Sequence, residues 1–477
     1  MQRVYDMTKL AELFKARGPI RKVGFIGMGY VGIPAAMLQA DAPDREKVYG
    51  FDISPYKINT LNAGENPLKG EEPGLDDLIR KVVTEGKFEC HGEYDAISEV
   101  DAVCIAVQTP FKDPKDLIPD FGPLKSAIGS VGKHLKPGML VVLESTITPG
   151  TTSVMAREIL EEASGLKAGE DFGLAHAPER VMVGRLIQNL REHDRCVGGI
   201  DEASTQRAVE LYSPILTKGT TIPMNATEAE VTKTTENTIR DLQIAAANQL
   251  ALYCEAMGIN FYNVRTGVDS LKGEGITRAM LWPGAGVGGH CLTKDTYHLE
   301  RGVQMLGPDK LDYPEGEASI YVLARHVNDF MPKHMITLTK NALRCDSLRG
   351  KKLALLGWSF LANTDDARNT PSEAYYLLAK EEGAEIRIHD TWVHDYAELE
   401  GVVIEKDIAT TLEEADAVIV LTAHNEYKTL TPEVMKMMTK NERPAVIDGR
   451  NIINPDPFLD NGWIYRGIGR GDKNNLS

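Results

Sequence analysis

The segment Gly286-Val287-Gly288-Gly289-His290-Cys291-Leu292-Thr293-Lys294-Asp295 places one cysteine after a glycine-rich turn, with a lysine and an aspartate within four residues. Glycine lets the backbone approach a ligand closely and adopt positive φ. A thiol attacks as the thiolate, which nearby cations favour. Lys294 and a protonated His290 could both supply that charge. The chemistry such a segment serves is nucleophilic catalysis through Cys291; the alternative is a structural cysteine beside a turn. Upstream, Lys233, Asn237 and Arg240 fall at i, i+4 and i+7, which is one face of a helix. They are either a second group of reacting side chains or a solvated polar stripe.

The elements that must position these residues have nucleotide-binding character. Val23 to Ile26 reads as a buried strand running into Gly27-Met28-Gly29-Tyr30-Val31-Gly32, then a helical stretch through Leu38. A second strand, Val48 to Ile53, has Asp52 at its end. Strand, GxGxxG, helix, strand and acid together form a dinucleotide-binding unit. The first glycine makes the tight turn, the second admits the pyrophosphate, and the third lets helix and strand pack. The helix N-terminus offers N–H groups to the phosphates. Asp52 is placed to accept from the ribose hydroxyls and to repel a 2′-phosphate, which favours NAD over NADP. Strands Ala102 to Val107 and Leu140 to Leu143 end in polar turns, so Thr109 and Thr146 become candidate cofactor contacts. The alternative for both is ordinary turn chemistry.

A similar pattern recurs later, with strands Leu353 to Gly357, Glu385 to His389 (followed by Asp390) and Ala417 to Leu421. Here Gly357 precedes Trp358-Ser359-Phe360 in place of GxGxxG, so the second half reads as Rossmann-like but adapted to another nucleotide. Between the halves, Glu228 to Met257 is free of proline and glycine and reads as one long helix, suited to joining domains or pairing with a symmetry mate. The fold class is therefore α/β, with two Rossmann-like domains of parallel strands joined by a long central helix.

Composition sets the boundaries of function. The 477 residues exceed one ordinary core. A net charge of −16 argues against nucleic-acid or acidic-membrane partners. No apolar run is long enough to span a bilayer. Six cysteines without metal-ligand pairing suggest a reducing, cytoplasmic setting with neither disulfide framework nor metal site. Leu10, Leu13 and Phe14 sit at helical spacing in an N-terminal extension.

From about Arg21 onward the chain resembles the UDP-glucose/GDP-mannose dehydrogenase family. The motifs are Gly27 to Gly32, Glu144-Ser145-Thr146-Ile147-Thr148-Pro149-Gly150-Thr151, Ala177-Pro178-Glu179-Arg180, Glu230-Val231-Thr232-Lys233 with Asn237, Gly288 to Asp295, Asn363 to Arg368, and Asp448-Gly449-Arg450. Ala-Pro-Glu-Arg and Gly-Gly-His-Cys look like the branch that oxidises UDP-N-acetylhexosamines. The resemblance implies an extension at 1–20, an NAD-binding domain at 21–222 and a central helical, dimerisation and catalytic-cysteine region at 223–340. A UDP-sugar-binding domain would follow at 341–477.

It also implies roles. Cys291 is the nucleophile, Lys233 stabilises an oxyanion and moves protons, and Asn237 orients reacting oxygens. Asp295 acts as a base through water, and Glu179 assists thioester hydrolysis. Tyr30, Val31 and Arg368 join the glycines, Asp52, Thr109 and Thr146 at NAD. Arg180, Val181, Arg240, Gly288, Phe360 and Arg450 contact the sugar nucleotide, with Arg278 offered by a neighbouring subunit of a homodimer or larger homo-oligomer. One departure stands out: Leu361 follows Phe360 where the family usually has lysine. The alternatives are a UDP-glucose 6-dehydrogenase, a single-step hydroxy-acid dehydrogenase of the 6-phosphogluconate type, and an inactive sugar-nucleotide-binding protein.

Overall fold

The computed structural model describes residues 7–68, 72–112, 118–182, 184–271, 279–289, 291–306, 319–439 and 444–474. His290 and Arg278 lie outside the described residues. The chain divides into two units, Met1–Glu236 with Tyr297–Asp312, and Asn237–Thr296 with Tyr313–Ser477.

In the first unit, strands β1 (Lys22–Ile26), β2 (Lys47–Phe51), β3 (Phe88–His91), β4 (Ala102–Ile105), β5 (Leu140–Leu143), β6 (Gly173–His176), β7 (Arg195–Gly199) and β8 (Thr221–Asn225) form one sheet. Its order is β3-β2-β1-β4-β5-β6-β7-β8. The first six run parallel, in the 3-2-1-4-5-6 order of a doubly wound dinucleotide fold. β7 pairs antiparallel with β6, and β8 runs parallel to β7. Residue 222, the end expected for the first domain, lies inside β8.

Central strands β4, β5 and β6 are buried at every residue. Helices cover both faces, so these strands read as unbroken apolar runs rather than alternating ones. Successive side chains still point to opposite faces. Phe25, Cys104 and Val142 enter one core, whereas Ile26, Val103, Ile105 and Val141 enter the other. The N-terminal helix, Met7–Arg17, docks on this unit through Leu10 and Phe14, and Arg17 donates to the Val100 and Pro137 carbonyls.

The second unit repeats the plan. Strands β9 (Lys352–Leu356), β10 (Glu385–His389), β11 (Ile404–Glu405), β12 (Ala417–Val420), β13 (Ala445–Asp448) and β14 (Tyr465–Gly467) are all parallel, in the order β11-β10-β9-β12-β13-β14. Counted within the unit, this is the same 3-2-1-4-5-6 order. Its core unites Leu353, Leu355, Ile419 and Ile447 of the sheet with Met331 and Met335 of helix Ile320–Leu343. Ala247, Ala251 and Cys254 of the long helix join them. That helix spans Ala226–Ala256, 31 residues, in place of the expected 228–257. Strands expected to reach Ile53, Val107 and Leu421 stop at Phe51, Ile105 and Val420, where the chain turns into the strand-end loops.

Candidate active site

In the first unit the three loop glycines have three different surroundings. Gly27 has φ +93°, and a Cβ there would lie 2.6 Å from the Ala106 carbonyl oxygen. A Cβ on Gly32 would lie 2.0 Å from the Gly27 oxygen, so the helix Gly32–Asp41 packs against its own strand turn only with glycine there. A Cβ on Gly29 would meet nothing within 4 Å. Turn, helix packing and an open face on the middle glycine are what a pyrophosphate-binding loop requires, so these residues fit a dinucleotide. Tyr30 and Val31 complete the loop, with Val31 as the N-cap.

Asp52 is nearly buried at the end of β2. It accepts from the Met28 N–H at 2.9 Å, so the acid also braces the glycine loop. The Ser54 N–H at 2.9 Å and Lys57 Nζ at 3.2 Å complete its partners. Sequence reasoning missed Lys57, which the helix Pro55–Asn62 brings back one turn later. The hydroxyl of Thr109 donates to the Thr146 carbonyl at 2.7 Å, which links the ends of β4 and β5.

Glu179 and Arg180 follow β6. One Glu179 oxygen accepts from the Arg180 N–H at 2.6 Å, and the other pairs with buried Arg195. Arg180 forms an ion pair with Glu236 at 2.7 Å and donates to the Asp194 carbonyl. Val181 packs against the core of this unit. Lys233 is buried on the long helix. Three residues before it, Glu230 accepts from the N–H groups of Gly150 at 2.5 Å and Thr152 at 2.8 Å, anchoring the helix to the loop after β5.

In the second unit, Cys291 is exposed. Its carbonyl, not its thiol, closes the turn, accepting from the N–H groups of Lys294 at 3.1 Å and Asp295 at 2.9 Å. Asp295 opens helix Asp295–Leu306 and is fully buried. One of its oxygens takes Asn237 Nδ2 at 2.5 Å, the other Lys294 Nζ at 3.1 Å. This corrects the sequence expectation for Lys294: its charge is committed to Asp295 instead of the thiol. The helix start turns the two side chains toward each other.

The glycine turn before Cys291 lies on the second sheet's first loop. A Cβ on Gly288 would sit 2.6 Å from the Phe360 Cβ, and one on Gly289 2.9 Å from the Phe360 ring. The Gly289 N–H donates to the Arg368 carbonyl at 2.9 Å. Phe360 thus supports the cysteine loop from beneath. Arg368 is held in a fork by Asp366. Gly284 packs against the Arg450 guanidinium, 2.9 Å from a Cβ position. Arg240 is exposed.

The second sheet's counterpart of Asp52 is Asp390, and it is already saturated. One oxygen takes the N–H groups of Trp358 and Ser359 with His424 Nε2, and the other takes those of Trp392 and Val393. Gly357 is closed over by Thr422, whose Cβ would lie 2.3 Å from an added Cβ.

The three domain profiles of one family match the chain in order: NAD binding domain at residues 21–216, central domain at 227–315 and UDP binding domain at 354–455. The chain belongs to the UDP-glucose/GDP-mannose dehydrogenase family. A solved NDP-N-acetyl-D-galactosaminuronic acid dehydrogenase from Methanosarcina mazei Go1 is 64% identical, with a TM-score of 0.90 over 98% of this chain and 99% of that one. The UDP-N-acetyl-D-mannosamine dehydrogenase of Pyrococcus horikoshii is 36% identical over 94% of this chain and 100% of its own length. That of Campylobacter jejuni is 35% identical over 85% and 96%.

This UDP-glucose/GDP-mannose dehydrogenase family member is an NAD-dependent nucleotide-sugar dehydrogenase. No helix among its described residues is long and apolar enough to cross a membrane. A buried polar chain braces its cysteine loop. Arg325 pairs with Asp241 at 2.5 Å, and Asn328 donates to Asp241 at 2.7 Å. Asn248 donates to Asn328 at 2.9 Å and accepts from the Gly284 N–H at 2.9 Å. The dehydrogenase has Leu361 39% exposed, so the position of the usual family lysine presents an apolar side chain to solvent.

Proposed function

We propose that this enzyme oxidises the C6 alcohol of a UDP-N-acetylhexosamine to the uronic acid, holding the sugar on Cys291 between two oxidations. The observation that carries this reading is the exposed Cys291 on a glycine turn, next to a buried Asp295 clamped by Asn237 and Lys294. The relatives named for N-acetylated mannosamine and galactosaminuronic acid point to the amino-sugar branch. The epimer is one of the N-acetylated manno, gluco or galacto sugars.

Gly27 to Gly32, Asp52, Thr109, Thr146 and Arg368 would hold NAD, which would supply the hydride acceptor. Lys233 takes the proton of the C6 hydroxyl and stabilises the oxyanion. The Cys291 thiolate adds to the resulting aldehyde to give a thiohemiacetal. Loss of a second hydride leaves a thioester, and water cleaves it to carboxylate and free thiolate. Asn237 orients the reacting oxygens, Asp295 acts as base through water, and Glu179 assists hydrolysis. Arg180, Val181, Arg240, Gly288, Phe360 and Arg450 recognise the sugar nucleotide. The cytoplasm, where nucleotide sugars and NAD are both available, is the setting of the reaction.

The expected result of an NADH-release assay over a panel of UDP-sugars is two NADH per sugar with little free aldehyde. The N-acetylated sugars should exceed UDP-glucose in kcat/KM by orders of magnitude. A pocket with partners for the acetamide leaves them unpaired when it is absent. One NADH per sugar favours the single-step alternative. A preference for UDP-glucose moves the enzyme to that branch, and no turnover supports the inactive binding protein.

We also propose a two-fold dimer built on the long helix, with Arg278 serving the neighbouring subunit. Ile239 and Tyr253 remain 37% and 58% exposed on it, and C₂ is the commonest closed symmetry. Sedimentation is expected to show a dimer at assay concentration; an active monomer removes this proposal.

A further inference from the structure

We infer that Arg195 is a positioning residue for thioester hydrolysis, holding the Glu179 carboxylate in place while its other arm is anchored on Glu144. This rests on the reading of Glu179 given above.

Arg195 opens β7 and is 4% exposed. One arm of its guanidinium pairs with Glu179. The other donates to Glu144 at 2.9 Å and to the Ala177 carbonyl at 3.2 Å. Its flat face lies 4.0 Å from the centre of the Tyr212 ring, and the Tyr212 hydroxyl donates to Glu144 at 2.6 Å. One cation therefore serves two carboxylates from two other strand ends, all three side chains buried. For stability alone, a buried ionic group of this kind is commonly no better than packed apolar residues. Its geometry has a directed result: the arginine fixes one Glu179 oxygen, and the Arg180 N–H fixes the other. The start of the Glu179-Arg180-Val181 loop is set by these two bonds.

The groups facing this cluster are Cys104, His176, Tyr212, Arg180 and Lys233. Burial pushes the Glu144 carboxyl up to about 7 and pulls His176 down to about 3. Near neutral pH, Glu144 is therefore partly protonated, which leaves the guanidinium charge mainly to Glu179.

In the step served, water adds to the acyl carbon and passes a proton to Glu179. The C–S bond then breaks with its electron pair on the Cys291 sulfur, the released acid ionises to solvent, and Glu179 returns the second proton to solvent. The test is intact-protein mass spectrometry during turnover with NAD⁺ and a UDP-N-acetylhexosamine, beside the NADH burst and the steady-state rate. Glu179→Gln is expected to give the two-NADH burst and then accumulate the acyl enzyme. Arg195→Lys can reach only one carboxylate; it should accumulate the same species, with steady-state turnover reduced at least roughly tenfold.

Absence of the acyl enzyme in Glu179→Gln overturns the reading of Glu179 and this inference with it. Accumulation in Glu179→Gln but not in Arg195→Lys, or an equal slowing of burst and steady state in Arg195→Lys, overturns the inference alone. Should Arg195→Lys not fold, Glu144→Leu decides. It removes the second anchor of the guanidinium and leaves Glu179 in place, so the acyl enzyme should accumulate after a normal burst; hydrolysis at the wild-type rate overturns the inference.

Discussion

Replacing Cys291 by serine is expected to abolish net formation of the uronic acid, by on the order of 10³-fold or more, with NAD and sugar-nucleotide binding close to wild type. The turn does not depend on sulfur. Its hydrogen bonds run from the N–H groups of Lys294 and Asp295 to the Cys291 carbonyl, and the thiol is exposed. Serine therefore leaves the loop, its Phe360 support and the Asp295 clamp in place. What it removes, on the proposed mechanism, is the sulfur nucleophile and a good leaving group from the acyl enzyme. Quantifying the acid by chromatography, with calorimetric titration of ligands, checks both halves. Undiminished acid from Cys291→Ser rules out the thioester route.

A pair of glycine variants should separate fold from cofactor. At Gly32 an added methyl would sit 2.0 Å from a backbone oxygen, so Gly32→Ala should lower the melting temperature and lose NAD-dependent turnover together. At Gly29 the same methyl meets nothing within 4 Å. Gly29→Ala should therefore melt like wild type yet raise the KM for NAD at least roughly tenfold, because the methyl stands where the pyrophosphate must approach. Melting curves and NAD titrations of the two variants test this. A Gly29→Ala enzyme with unchanged KM would show that the dinucleotide does not lie against this loop.

The parts of the fold that the sequence reveals are those set by near neighbours. The strand, glycine turn and helix from Val23 to Leu38 follow from local sterics, and so does the unbroken helix around Lys233 and Asn237. Their spacing already places those two side chains on one face. What stayed hidden depends on distant residues. Arg195 is the first residue of an otherwise uncharged strand and has no local mark; its two carboxylates stand 16 and 51 residues away in the chain. The antiparallel turn of β7 beside β6 is equally tertiary. Lys294 misled through adjacency. Three residues from Cys291, it looked like a partner for the thiol, but the first turn of a helix sends it to Asp295. Phe360 was expected at the sugar nucleotide; its observed work includes bearing Gly288 and Gly289, a contact that no spacing announces.

The saturated Asp390, which takes the N–H groups of Trp358 and Ser359 in the second sheet's first turn, has a kinetic consequence. Among the described residues, only the Gly27–Gly32 turn keeps the form that seats a dinucleotide. On the proposed mechanism, a four-electron oxidation on one protomer would use that seat twice. Midway through each cycle NADH would have to depart and fresh NAD⁺ arrive, while the half-oxidised sugar waits on its tether. The lifetime of that tethered state would be set by the ratio of the two cofactor forms in the surroundings. A reduced cofactor pool would stall such an enzyme with its sugar aboard, so the flow into acidic sugar would follow the redox state of the cell as well as the supply of substrate.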